Sequence, residues 1–216
     1  MTEARCDRRR RGFLAAASLL SVIWASCAGE RDATPAGDSA SEPTKSASHR
    51  TGTETSPGIP GEVLSLDVSA SGPVIDVLMA VSAEPAARLL HRRSVDGGRS
   101  WRLASEVDLG DRPMHAPHRG MDPQIAVDGD RVLAVWTSPG DSPWGSGPMA
   151  TSLSTDGGES WTPGPTPADD GRTDGHNYID AIADPEGVFP VVWLDSREEG
   201  RGLPSSSSRD GLSWSR

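Results

Sequence analysis

The sequence predicts an all-β domain built from a repeated unit of four short strands. The 216 residues include 24 Gly and 18 Pro, which is typical of many short segments joined by tight turns and unfavourable for a helical bundle. An octapeptide, Ser94–Trp101, returns as Ser154–Trp161 and, one residue shorter, as Ser208–Trp214. A motif that returns at a nearly fixed period indicates a row of equivalent supersecondary units.

The strands of each unit are predicted from apolar residues upstream of the octapeptide, which recur every 57 residues. They are Val68, Ile125 and Ile182 in one set and Met79, Trp136 and Trp193 in the other. Turn residues lie between the two sets, at 71–73, 128–130 and 184–187, and such residues between runs rich in Val, Ile and Trp predict β-hairpins. Each unit is therefore expected to hold two hairpins, with the octapeptide at the second turn.

The octapeptide resembles the Asp-box, or BNR repeat, of sialidase-like β-propellers, whose form is Ser-x-Asp-x-Gly-x-Thr-Trp. The first two copies match with Ser100 and Ser160 in the place of Thr, and the third departs by its missing residue. The motif residues are Ser94, Asp96, Gly98, Trp101, Ser154, Asp156, Gly158, Trp161, Ser208, Asp210, Gly211 and Trp214. The resemblance covers residues 62–216 and implies about three four-stranded blades of a six-bladed propeller. It also implies that the boxes are structural turns at the periphery, away from any active site.

The N-terminal region is predicted to be an export signal over 1–26. Arg10 and Arg11 precede a short apolar run, which fits either a twin-arginine signal or a Sec signal with a basic start. The run is shorter than a membrane-spanning helix requires. Ala25-Ser26-Cys27 resembles the end of a lipobox, which implies lipidation at Cys27 and a membrane anchor. A soluble secreted protein is the alternative.

Residues 27–61 are predicted to form a disordered linker after the lipidated Cys27. The segment is rich in Ser, Thr, Pro, Gly and Ala and contains one large aliphatic residue, Ile59. Such a composition cannot bury enough apolar area to offset the entropy of ordering the chain.

Charge and residue spacing exclude several functions. The net charge of −10 would repel phosphate backbones, so no nucleic-acid partner is expected. The histidines lack the spacing of a zinc protease site, and no phosphate-binding Gly-Lys-Ser/Thr loop occurs, so no metal and no cofactor are predicted.

Candidate ligand-binding residues fall on the rim opposite the octapeptide turns. In a four-stranded antiparallel blade, the loops between strands two and three share that rim with the connections between blades, and such loops commonly carry function. The candidates are Arg112, Arg119, Asp122, His176, Tyr178, Asp180, Asp195 and Arg197. Arginine and carboxylate groups together can bind a sugar or peptide, or simply pair with each other at a solvated surface.

Two functions stay open at this point. The first is an exported, lipid-anchored cell-surface protein that binds a glycan or protein. The alternative is an exo-α-sialidase-like glycoside hydrolase whose full catalytic set lies in blades missing from this chain. The family's Phe/Tyr-Arg-Ile-Pro motif is absent before Asp96, and Tyr178 lies too early for the family's nucleophile, so no catalytic residue is assigned.

Three units are fewer than the 4 to 8 blades of a closed propeller. We expect either that the sequence is part of a longer protein or that two copies pair into one ring. Open blade edges favour self-association.

Overall fold

The structure is a computed structural model that describes residues 58–142, 145–168, 170–195 and 202–215. The chain divides into two units, Met1–Thr51 and Gly52–Arg216, and every described residue belongs to the second. The predicted signal, Cys27 and most of the predicted linker lie outside the described residues. Across the described ranges the secondary structure is entirely β, and no helix could cross a membrane. The all-β prediction is confirmed.

Blade 1 is a four-stranded antiparallel sheet in sequence order. Its strands are β1 (Val63–Ser71), β2 (Val74–Val81), β3 (Arg88–Ser94) and β4 (Ser105–Glu106). The β1–β2 hairpin turns at residues 72–73, as predicted, and the first octapeptide joins β3 to β4.

Blade 2 repeats this arrangement. Its strands are β5 (Gln124–Asp128), β6 (Arg131–Pro139), β7 (Ser146–Ser154) and β8 (Thr162–Gly164). The second octapeptide again connects the third strand to the fourth.

Blade 3 is shorter than predicted. It holds β9 (His176–Ala181), β10 (Phe189–Asp195) and β11 (Ser205–Ser208). The predicted fourth strand is a single bridge between Ser207 and Ser215. The shortened third octapeptide still returns the chain to the edge of β11.

The 57-residue register holds from blade 1 to blade 2. Val68 pairs with Val77 in blade 1, and Ile125 pairs with Ala134 at the same place in blade 2. In the first two strands of each blade, residues that are 57 positions apart therefore point to the same side of the sheet.

In blade 3 the register slips by one residue. Ala181, and not Ile182, pairs with Val191, and the ladder is irregular between Val192 and Leu194. Tyr178 at the start of β9 has φ of 49°, a conformation that is rare for a bulky residue. Because side chains alternate along a strand, the slip exchanges which residues of β9 are buried.

Two apolar cores hold the blades together. The core between blades 1 and 2 contains Leu78, Leu89 and Trp136, and the core between blades 2 and 3 contains Leu133 and Trp193. The three inner strands, β1, β5 and β9, contact one another in that order. The blades thus fan out from a shared inner side, as in a propeller.

The interface between blades 1 and 2 also buries an ionic cluster. Asp76 accepts hydrogen bonds from Arg93 Nε (2.7 Å) and pairs with His91 Nε2 (2.8 Å), and all three side chains are buried. Arg93 also reaches blade 2. Its Nη1 donates a hydrogen bond to Asp130 Oδ1 over 3.0 Å, and its Nη2 donates one to the carbonyl of Gly129. Burial alone raises the pKa of Asp76, but the hydrogen bonds from His91 and Arg93 outweigh it and lower that pKa. The cluster fixes one blade to the next.

Candidate functional site

The octapeptide turns are closed by their own side chains. In the first turn, Ser94 Oγ accepts a hydrogen bond from Gly98 N (2.9 Å) and donates to Asp96 Oδ1 (2.8 Å). Asp96 also accepts bonds from the N–H (2.9 Å) and the hydroxyl (2.6 Å) of Ser100. These two bonds from Ser100 are the main cause that lowers the pKa of Asp96 to about 2.

The other two turns repeat this pattern. Ser160 donates its hydroxyl and N–H to Asp156 and lowers the pKa of that carboxyl well below its usual range. In the shortened turn, the N–H groups of Ser213 and Leu212 lower the pKa of Asp210 to about 2. All three carboxylates therefore accept hydrogen bonds from groups of their own turns, as expected for a structural role.

The opposite rim is formed where interblade segments meet the loops between second and third strands. His115 N donates to the carbonyl of Thr137 over 2.9 Å, and the Thr137 hydroxyl donates to the carbonyl of His176 over 3.3 Å. Residues far apart in sequence therefore share this side of the molecule.

A groove of about 340 Å³ on this rim brings three of the predicted residues together. Its lining consists of the predicted Arg119, Asp122 and Tyr178 together with Gly120, Gln124 and Ile179. The groove lies between the segment that enters β5 and the start of β9.

Tyr178 is the most distinctive residue of the groove. Its side chain is 54% exposed, although the 57-residue repeat places it at the position of Met121, which is buried. Its N–H donates to the carbonyl of Gly120 over 2.6 Å, and an added Cβ on Gly120 would lie 2.7 Å from Tyr178 Cζ. The register slip therefore turns the ring of Tyr178 outward, where it packs against Gly120.

Hydrogen bonds fix one side of the groove. Asp122 Oδ1 accepts a bond from Ser65 Oγ of blade 1 over 2.7 Å. Gln124 Nε2 donates to the carbonyl of Pro123 over 3.2 Å, and its amide oxygen makes no hydrogen bond within the described residues. The backbone on this side is held in place before a ligand arrives.

Arg119 supplies the positive charge. It is exposed, and within the described ranges its guanidinium takes part in no hydrogen bond or ion pair. A guanidinium in this state can donate several hydrogen bonds to an oxygen-rich ligand without first breaking an ion pair.

The other predicted rim residues lie elsewhere. Arg112 donates to the carbonyl of Met149 over 3.2 Å and holds the interblade segment on blade 2. His176 and Asp195 are buried, and His176 pairs through Nε2 with Asp170 (3.3 Å). They are thus unavailable to a ligand on the surface. Arg197 lies outside the described residues.

Asp180 faces a second groove, which runs along the inner strands of all three blades. This groove also contains Asp67, Gln124 and Arg93. Gln124 lines both grooves, so the rim groove continues into the inner one. The described residues contain no cluster of His, Cys, Asp and Glu that could hold a metal ion.

Sequence reasoning missed Gly120 and Gln124 as groove residues. Gly120 carries no side-chain signal, and its role depends on a contact with Tyr178 across two blades. Gln124 lies at the start of β5, and which side of the sheet its side chain occupies depends on the strand register, which is known only from the structure. No feature of either residue alone predicts its place.

Comparison with solved structures supports the fold. An α-L-arabinofuranosidase from Fusarium graminearum, crystallised with an iminosugar inhibitor, superposes with a TM-score of 0.51 at 16% identity, covering 71% of this chain. A Trypanosoma rangeli sialidase mutant gives a TM-score of 0.45 at 18% identity over 72% of this chain and 30% of its own. The chain spans 47% of the length of the arabinofuranosidase. No family model matches the sequence, and a search of curated proteins finds no match.

The likeness to the arabinofuranosidase supports the fold of propeller-like blades and nothing beyond the fold. Identities of this size carry no information about individual site residues.

Proposed function

We propose that this chain is an exported cell-surface protein whose rim groove binds a glycan. The observation that carries the proposal is the outward placement of Tyr178 beside Arg119, which has no ion-pair partner among the described residues. A bulky residue in a left-handed conformation costs free energy, and such strain is commonly kept at functional sites. The repeat would otherwise bury an apolar side chain at this position.

The chemistry of the groove suits a sugar. A tyrosine ring offers an apolar face with a hydroxyl at its edge, and Arg119, Asp122 and Gln124 supply donors and acceptors around it. Binding sites typically combine such a face with a few placed polar groups. A fold shared with an arabinofuranosidase agrees with a glycan ligand by analogy only.

The test is a binding titration of the full chain with two defined probes, a neutral arabino-oligosaccharide and sialyllactose. Tyr178→Asn is the informative variant, because asparagine tolerates a positive φ and preserves the backbone while removing the ring. Leu103→Ala, at a side chain that is 73% exposed outside the groove, is the control.

We expect at least one probe to bind, Tyr178→Asn to weaken it at least tenfold, and Leu103→Ala to bind like the unaltered chain. Saturable binding that is unchanged in Tyr178→Asn would contradict the groove as the binding site. A protein ligand remains the other outcome if neither sugar binds and a protein partner is lost with Tyr178→Asn.

The hydrolase alternative has its own test. Fluorogenic α-sialoside and α-L-arabinofuranoside substrates are incubated with the chain and with its Arg119→Ala and Tyr178→Phe variants. Retaining glycoside cleavage requires a nucleophile and an acid/base group held across one bond, and the groove has one carboxylate, Asp122. We expect no turnover. Turnover that either variant abolishes would favour the hydrolase.

We further propose attachment to the membrane through a lipid on Cys27. The support is the Ala25-Ser26-Cys27 sequence and the lack of another cysteine downstream for a disulfide. Cys27→Ser should lose the acyl mass and move from the membrane fraction to the soluble fraction. Unaltered protein in the extracellular medium with a free Cys27 thiol would instead indicate a soluble secreted protein.

A further inference from the structure

A hydrogen bond from blade 1 orients the carboxylate of the rim groove. Ser65 Oγ donates to Asp122 Oδ1 over 2.7 Å, and both side chains are half-buried. The backbone three residues further on is tied to the same strand, because Ile125 N donates to Asp67 Oδ2 over 2.8 Å. Two bonds from β1 thus hold the chain on either side of Gln124, which lines the groove.

Strand β1 is irregular directly before Ser65. In the β1–β2 ladder the register shifts between Val63 and Ser65, which leaves Leu64 as an extra residue. The β9–β10 ladder is also irregular, beside Tyr178. β-Bulges re-aim side chains and are over-represented next to active sites. Both irregular places serve the rim groove, one through the bond from Ser65 to Asp122 and the other through Tyr178.

The fixed polar groups of the groove require both donors and acceptors from a ligand. Asp122 uses Oδ1 for Ser65, and its carboxylate keeps capacity for a donor of the ligand. Gln124 donates Nε2 to the carbonyls of Pro123 (3.2 Å) and Asp122 (3.4 Å), which leaves its amide oxygen for the ligand. Arg119 can only donate, so it requires an acceptor.

Sugar hydroxyls meet these requirements better than an acidic group does. A hydroxyl both donates and accepts, so adjacent hydroxyls can serve Asp122 and Arg119 together. A carboxylate only accepts. It would pair with Arg119 but bring a like charge to Asp122 and give that side chain no donor, and an unpaired or repelled charge of this kind is how a site rejects a competing ligand.

The inner groove adds to this discrimination. The rim groove continues into it at Gln124, and its lining contains six aspartates and two arginines. A negatively charged ligand that extends past Gln124 therefore meets a wall of its own sign.

We propose that the rim groove selects an uncharged glycan over an acidic one, and that Ser65 positions Asp122 for this selection. Ser65 is not part of the groove lining, so it acts through the carboxylate that it orients. The proposal rests on glycan binding by the rim groove and names the class of glycan that the groove takes.

The test is a titration of the full chain with the neutral arabino-oligosaccharide and with sialyllactose. The variants are Asp122→Asn, Ser65→Ala and Ser65→Thr. Asparagine keeps an oxygen for Ser65 and removes the negative charge, and threonine keeps the hydroxyl of Ser65. Ser71→Ala, at an exposed serine at the other end of β1, is the matched control. Urea unfolding confirms that each variant folds.

We expect the neutral probe to bind at least tenfold more tightly than sialyllactose. Asp122→Asn should narrow this ratio at least threefold, because the acidic probe no longer meets a carboxylate. Ser65→Ala should weaken binding of the neutral probe at least threefold, Ser65→Thr should restore it, and Ser71→Ala should bind like the unaltered chain. In an Asp122→Ala background, Ser65→Ala should have no further effect on affinity.

Three outcomes would contradict the proposal. Tighter binding of sialyllactose that depends on Tyr178, or a ratio unchanged in Asp122→Asn, would overturn the selection and leave glycan binding by the groove intact. An equal effect of Ser65→Ala with and without Asp122 would show that Ser65 does not act through that carboxylate. Binding of neither probe would contradict glycan binding itself and, with it, this proposal.

Discussion

Gly158 of the second octapeptide turn lies directly against the imidazole of His91 in blade 1. A Cβ added at Gly158 would come within 2.0 Å of His91 Nδ1. The imidazole cannot move aside easily, because Asp76 holds its other nitrogen and Trp161 packs against its ring at 5.5 Å between centroids. The turn motif of one blade therefore also forms the contact with the preceding blade.

Gly158→Ala should destabilise the domain by about 2–5 kcal/mol. The left-handed backbone at φ of 86° is unfavourable for alanine, and the clash with His91 adds an overpacking cost. Gly72→Ala is the control, since Gly72 also has a positive φ, of 58°, but open space around it, and about 1–2 kcal/mol is expected there. Urea unfolding measures both, and equal losses would show that the contact with His91 does not matter.

The ionic cluster of blade 1 has an uncharged counterpart in blade 2. Strand pairing places Asp76, His91 and Arg93 where blade 2 has Leu133, Thr151 and Leu153. The same position in the fold thus tolerates either chemistry, provided that every buried charge has a partner.

Arg93→Leu alone should cost about 3–5 kcal/mol, because it leaves Asp76 buried with His91 as its remaining partner. The triple variant Asp76→Leu, His91→Thr, Arg93→Leu should recover most of that loss, since replacing a whole buried ionic cluster with apolar residues is often neutral. Thermal melting of the single and triple variants measures the difference. A triple variant less stable than Arg93→Leu would show that the cluster is needed as such.

The sequence predicted the features of the fold that depend on local patterns. Hairpin turns and octapeptide turns are encoded by neighbouring Gly, Asp and Ser residues, and the structure places them as expected. The register slip of β9 could not be predicted, because it depends on the conformation of one residue, Tyr178. This slip is also what makes Tyr178 part of the candidate site.

Burial of polar residues was the other feature that the sequence concealed. β3 reads Arg-Leu-Leu-His-Arg-Arg-Ser, which suggests a solvated strand, yet His91 and Arg93 are buried. Their partner Asp76 lies on another strand, so only the folded sheet shows that the charges are compensated. The sequence placed His176 on the rim for the same reason, but its side chain is buried in the structure.

Acid should destabilise the domain as the octapeptide carboxylates become protonated. The pKa values of Asp96 and Asp210 are lowered to about 2 from 3.8. A lowered pKa in the folded state contributes stability above the unfolded value of 3.8, and that contribution disappears as the pH falls towards 2. Urea midpoints measured between pH 7 and pH 2 should fall most steeply below about pH 4.

Asp156→Asn should make that dependence shallower, because one of the three carboxylates is gone. Asp156→Ala should also lower stability at pH 7, by about 1–2 kcal/mol, since it removes the acceptor for Ser154 and Ser160. Unchanged thermal stability in Asp156→Ala would show that the carboxylate does not hold the turn.

Gly120→Ala should impair the rim groove while leaving Tyr178 in the sequence. The new methyl group would lie 2.7 Å from Tyr178 Cζ, and φ of 88° is unfavourable for alanine, so the ring must leave its seat. Affinity for whichever glycan probe binds should fall at least tenfold, while Gly171→Ala, at a positive φ with open space, should bind normally. Binding that survives in Gly120→Ala but is lost in Tyr178→Asn would mean that the ring is needed and its seat on Gly120 is not.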